Sequence, residues 1–181
     1  RAEKLSGTAA VAGYTAASKA DQVSVLVNNA MMTAISNYVA QNFGAGKSDR
    51  IRQGVRACLI QTETLNLIMC VGILLLRHPI VQMLSNPTKE IYHYSDMYLT
   101  VVAPFYFILG LLAVYRTSIQ SMQNGQAPFA ACMIELVMRI AATVGLSGMI
   151  GYTSVCIASP LAWIGACSLL IPVYYKMMRR A

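Results

Sequence analysis

At 181 residues the chain has the length of one domain, yet 56% of it is hydrophobic and only 12% is charged, about half the roughly 25% charged share of a soluble protein. That composition excludes an ordinary soluble fold and predicts an all-α bundle of transmembrane helices. The net charge of +7 would suit a nucleic-acid binder, but the cations stand at the ends of apolar runs with no aromatic residues alternating between them, so the lipid bilayer is the expected partner, with no nucleic acid.

Apolar runs near 20 residues long predict five crossings in a single transmembrane domain over 1–181, at about 22–43, 57–76, 98–116, 129–150 and 155–175. A helix rising about 1.5 Å per residue needs that length to cover a hydrocarbon core of roughly 30 Å. The first run, QVSVLVNNAMMTAISNYVAQNF, has no charge, glycine or proline. Asn29, Thr33 and Asn37, with Ser36, follow helical spacing and define a polar face that either bonds to neighbouring helices or lines a transport pathway.

GAGKS follows. A phosphate-cradling loop needs glycine five residues before Gly46, where Gln41 stands, and a preceding strand where the pattern is helical. The segment therefore reads as a turn between helices, with Gly44 and Gly46 supplying it and Gly44 ending the first helix.

The second crossing carries Glu63 in the polar stretch LIQTETLNL, where it either lies within the crossing or sits close to the cytoplasmic interface and is simply hydrated. Beyond it, RHPIVQMLSNPTKEIYHYSD reads as a polar connection with His78 and His93 in loops and no metal-ligand spacing. Pro104 is a predicted kink in the third crossing and Gly110 a second place where a bend is tolerated. The fourth holds Glu135 and Arg139, four residues apart on one face in MIELVMR, an arrangement that favours mutual neutralisation or a face toward substrate or ion. Glu63, Glu135 and Arg139 are the coupling or pathway candidates, because an ionised group at mid-bilayer costs about 2.5 to 3.5 kcal/mol and calls for a partner or a wet cavity. The short link GYTS makes the last two crossings antiparallel neighbours.

The five cysteines lie in or beside apolar runs, contain no CxxC pair and read as small apolar fillers. With no nucleophile beside a base, no paired histidines and no metal spacing, no enzyme, metal or cofactor is expected. Lys47, Arg50, Arg52, Arg56 and Arg116, with Lys176, Arg179 and Arg180, fall on one side of the predicted membrane, against Arg1, Lys4, Lys19, Arg77 and Lys89 on the other. The positive-inside bias makes the first side cytoplasmic, with the C-terminus inside, in the cell (inner) membrane. The chain opens on RAEK without a methionine, and a fragment is expected.

The stretch AISNYVAQNFGAGKSDRIRQGVR resembles the helix end and basic loop of the multidrug and toxic compound extrusion (MATE) family. The resemblance runs on through VAGYTAASK, YRTSIQSMQNGQAP, IELVMR and PLAWI to the terminal YYKMMRR. It implies a C-terminal lobe lacking its first helix, whose partner is the missing N-terminal lobe in a twelve-helix exporter of cationic, amphipathic small molecules, coupled to Na⁺ or H⁺. Some branches of the family place a coupling carboxylate in the helix matching LTVVAPFYFILGLLAVY, where this sequence has none. Two alternatives stand beside that reading: a lipid-linked oligosaccharide flippase of the same superfamily, expected to carry more basic residues in its crossings, and a non-transporting membrane subunit.

Overall fold

The computed structural model describes residues 2–84, 89–150 and 152–180. They form six α-helices: α1 (Ala2–Gly44), α2 (Ser48–Leu84), α3 (Lys89–Val102), α4 (Tyr106–Ser121), α5 (Gln126–Ile150) and α6 (Tyr152–Arg180). A 3-10 turn at Ala103–Phe105 joins α3 to α4. No strand occurs among the described residues.

The bundle is built for lipid. Leu67, Ile68 and Leu75 of α2 and Phe129, Val137 and Val144 of α5 are exposed, whereas Asn28, Thr62, Asn66 and Ser118 are buried. Water would reverse that distribution; a hydrocarbon solvent favours it, because lipid tails take the apolar face and the polar groups must satisfy one another inside. Among the described residues four segments are long and apolar enough to cross a membrane: Ser48–Leu76, Ile91–Ser121, Gln126–Gly145 and Cys156–Arg179. The chain is thus a multi-pass membrane bundle. The predicted first crossing, 22–43, lies in the second half of α1, a helix of 43 residues that extends roughly 60 Å and packs against α2, α3 and α4.

The connection after the second crossing differs from expectation. α2 passes Pro79 and runs to Leu84, and α3 has begun by Lys89, so His78 and His93 are helical residues and not loop residues. A proline removes one intrahelical hydrogen bond, and the glycine-free, apolar IVQML beyond it carries the helix on. The third predicted crossing is interrupted at Pro104, where α-helix gives way to the 3-10 turn. Gly110 does not interrupt the helix; it lies inside α4.

Both tight turns at one end of the bundle share a hydrogen-bond pattern. After α1, Lys47 N–H donates to the Asn42 carbonyl at 2.9 Å and Gly46 N–H to the Phe43 carbonyl at 3.0 Å, with Gly46 at φ 66°. Gly44 stays helical, so the left-handed position belongs to Gly46. After α4, Asn124 N–H reaches the Ile119 carbonyl and Gln123 N–H the Gln120 carbonyl, with Gln123 at φ 61°. Asn124 then accepts from Ala127 N–H and caps α5. α5 and α6 are antiparallel: Ile134 and Met138 meet Gly165, residues about equally far from the short connection.

Candidate functional site

Glu63 lies on α2 between the buried Thr62 and Asn66. Both of its carboxylate oxygens are buried and make no hydrogen bond among the described residues. The helix that faces it is α4, at Gly110. A Cβ at that position would stand 2.3 Å from Asn66 Nδ2 and 2.7 Å from Glu63 Oε1, so only glycine admits α2 this close.

Asn66 ties three helices together. Its Oδ1 accepts from Asn28 Nδ2 of α1 at 3.1 Å, and its own Nδ2 donates to the Tyr106 carbonyl at 3.1 Å, in the first turn of α4 just past the break at Pro104. The buried amides and the break therefore form one polar core, and Glu63 is the charged group beside it. Asn28 is one position off the polar face read from the sequence. Asn29, Thr33 and Asn37 of that face are exposed, and Thr33 spends its hydroxyl on the Asn29 carbonyl. Ser36 turns inward and accepts from Ser121 of α4 at 3.0 Å.

Glu135 is handled differently. Its close partner is Arg116 of α4, whose Nη2 bonds Oε1. Arg139, the partner suggested by spacing, stands at 3.9 Å with its side chain 48% exposed, against 14% for Glu135. The mutual neutralisation expected within MIELVMR is thus secondary to a bridge between helices. Gly110 and Arg116 are six residues apart on α4, about 9 Å along the axis and about 240° around it. The two glutamates consequently meet different faces of the same helix. Cys167 of α6 lies within electrostatic reach of both Glu63 and Arg116 and donates its thiol to the Ile108 carbonyl at 3.6 Å. Cys58, Cys156 and Cys167 are buried, whereas Cys132 is exposed.

A third feature was not foreseen as a site. Where α2 begins and α6 ends, a cleft of about 520 Å³ opens against α4, lined by Arg52, Arg56, Arg179, Tyr115, Tyr174 and Tyr175. Arg52 donates to the Met178 carbonyl and so ties α2 to the last turn of α6. The tyrosines form a cluster: Tyr115 and Tyr174 meet edge to face at 5.1 Å, and Tyr174 and Tyr175 at 5.6 Å. The signal in the sequence was YR at 115–116 and YYKMMRR at the end, read there as positive flanks of apolar runs. Only packing brings them opposite Arg52 and Arg56.

Comparison with known proteins gives two findings. A family model described as MatE matches residues 2–144. A curated relative from Shewanella oneidensis named FAD transporter is 20% identical over 153 residues, which are 84% of this chain and 34% of the relative. The chain thus spans about a third of that relative's length. No solved structure matches.

Proposed function

The chain belongs to the MatE family of membrane transporters, and we propose that it supplies one lobe of a secondary active exporter coupled to H⁺ or Na⁺, with Glu63 as the group that binds and releases the coupling ion. The observation that carries this reading is the Glu63 carboxylate, enclosed at the α2–α4 contact with no hydrogen-bond donor on it among the described residues. A carboxylate kept inside a membrane without a partner is costly to retain, and coupling is a function that repays the cost. The break at Pro104, beside the Tyr106 carbonyl that Asn66 bonds one turn along α2 from Glu63, gives α4 a place to bend as the site changes occupancy, since interrupted helices recur at transporter sites.

Alternating access requires a second lobe against which this one rocks, and the exposed face of Asn29, Thr33 and Asn37 is the proposed pathway lining. The expected cargo is an amphipathic organic cation, and the membrane is the cell membrane with the C-terminus of α6 cytoplasmic. A second reading, export of a flavin nucleotide, is favoured by the name of the Shewanella relative.

In proteoliposomes of the complete transporter, an imposed ΔpH or Na⁺ gradient should drive efflux of a fluorescent cation or of flavin adenine dinucleotide. Glu63→Gln should abolish gradient-driven efflux without loss of stability, since no partner is left unpaired and the cost of an unpaired charge is relieved. Undiminished gradient-driven efflux in that variant would remove Glu63 from the coupling role. Transport of a lipid-linked oligosaccharide in its place would make the protein a flippase, and no transport of any cargo a membrane subunit.

A further inference from the structure

We propose that the cleft between α2, α4 and α6 is a phosphate-binding site in which Arg56 and Arg179 hold the anion and the tyrosines receive the group attached to it. Arg52 and Arg56 are four residues apart on one face of α2, and Arg179 comes from α6 into the same cleft. Like charges at that spacing repel one another. Among the described residues the ion pairs join Glu135 to Arg116 and Arg139, and none reaches Arg52, Arg56 or Arg179. Asp49 lines the adjoining cleft of about 470 Å³ with Lys47, Arg50 and Arg52, and it forms no ion pair with them within that set. Lys176 and Arg179 line a further cleft of about 400 Å³. Positive charge without a paired carboxylate among the described residues is therefore focused at one end of the bundle, where an anion from outside the chain is attracted.

The shape of the site specifies more than an anion. Arg52 is already positioned by its bond to the Met178 carbonyl, which holds the mouth of the cleft in place before anything binds. Arg56 and Arg179 are exposed at the cleft, and guanidinium groups pair with phosphate oxygens through two parallel hydrogen bonds, so arginine suits phosphate there better than lysine does. Tyr115 and Tyr174 are buried and Tyr175 is exposed, giving a wall of ring edges and hydroxyls. Val55, Leu59 and Met178 add an apolar floor. The volume is within the range of sites that enclose a ligand of more than a few atoms. The bound molecule is thus a phosphate with an apolar or aromatic body, and it reaches the cleft either from the bilayer surface, as an anionic phospholipid headgroup, or from solution, as a phosphorylated aromatic solute.

Binding to the purified protein separates the sources. One arm titrates phosphatidylglycerol in mixed micelles against phosphatidylcholine; the other titrates flavin adenine dinucleotide. Each is read by native mass spectrometry and by the shift in unfolding temperature. Phosphatidylglycerol or the dinucleotide should bind where phosphatidylcholine does not, with affinity reduced about tenfold or more in Arg56→Gln/Arg179→Gln and falling with added salt. Arg52 is left intact because it holds two helices together. The charge-preserving Arg56→Lys/Arg179→Lys variant should bind between the two, as expected for a paired guanidinium contact and not for diffuse charge. Binding of phosphatidylglycerol alone assigns the site to lipid, and binding of the dinucleotide alone to a solute. Failure of both anions to bind, or binding unchanged in the glutamine variant, overturns the proposal, and neither result touches the role of Glu63.

Discussion

Glu63 and Glu135 stand in the same kind of place, each on a membrane-crossing helix and each turned toward α4, yet the fold treats them oppositely. Glu135 is closed by Arg116 and seconded by Arg139. Glu63 lies one turn from Asn66, whose amide bonds elsewhere, and no hydrogen bond reaches its oxygens among the described residues. Opposite charges inside a bilayer neutralise each other and make a structural link, whereas a lone carboxylate costs stability and remains available to an ion. The lesson is that burial of a charge in a membrane bundle indicates function only after its neighbours on other helices have been counted.

The comparison breaks most visibly at Arg116. Arg116→Met should cost about 3 to 5 kcal/mol, because Glu135 is then buried with only a distant, half-exposed arginine. Adding Glu135→Gln should recover much of the loss in thermal unfolding, as a double-mutant cycle would show for a true pair. No recovery would mean that Arg116 acts through packing alone.

Gly110→Ala should cost about 1 to 3 kcal/mol, since its Cβ overlaps both Asn66 and Glu63 and must push α2 away from α4. It sharpens the contrast by disturbing the Glu63 side only. Ion-driven transport should fall, while the unfolding penalty of Arg116→Met, measured in that background, should be unchanged because the two positions face different sides of α4.

Smallest of all, Arg139→Gln should change stability by less than about 0.5 kcal/mol, the scale of an exposed i,i+4 pair. A loss comparable to that of Arg116→Met would show that the pairing within α5, and not the bridge between helices, carries Glu135.

The turn after α1 shows how far local chemistry reaches. GAGKS was legible as a turn because a phosphate loop lacked its first glycine, but which glycine takes the left-handed position depended on where the helix stopped. Gly44 fitted the pattern as well as Gly46 did, and hydrogen bonds to Asn42 and Phe43 decided for Gly46. The turn after α4 places Gln123 in the same conformation with Gly125 nearby, so composition alone would have chosen the wrong residue there.

By itself the sequence determined the class of structure: long uncharged runs can satisfy their backbone in lipid only as helices, and their number, together with the basic ends and polar punctuation, made a multi-pass bundle unavoidable. It also marked Glu63, Glu135 and Arg139, because charges are rare enough in such runs to be read one by one. Tertiary structure alone decided that Arg116 belongs to Glu135, that Asn28 and not Asn29 enters the core, and that the terminal YYKMMRR closes over Arg52 and Arg56. Helical periodicity fixes what lies three or four residues away on one helix; the partner across a helix interface depends on rotation and register, which packing sets and no local spacing records.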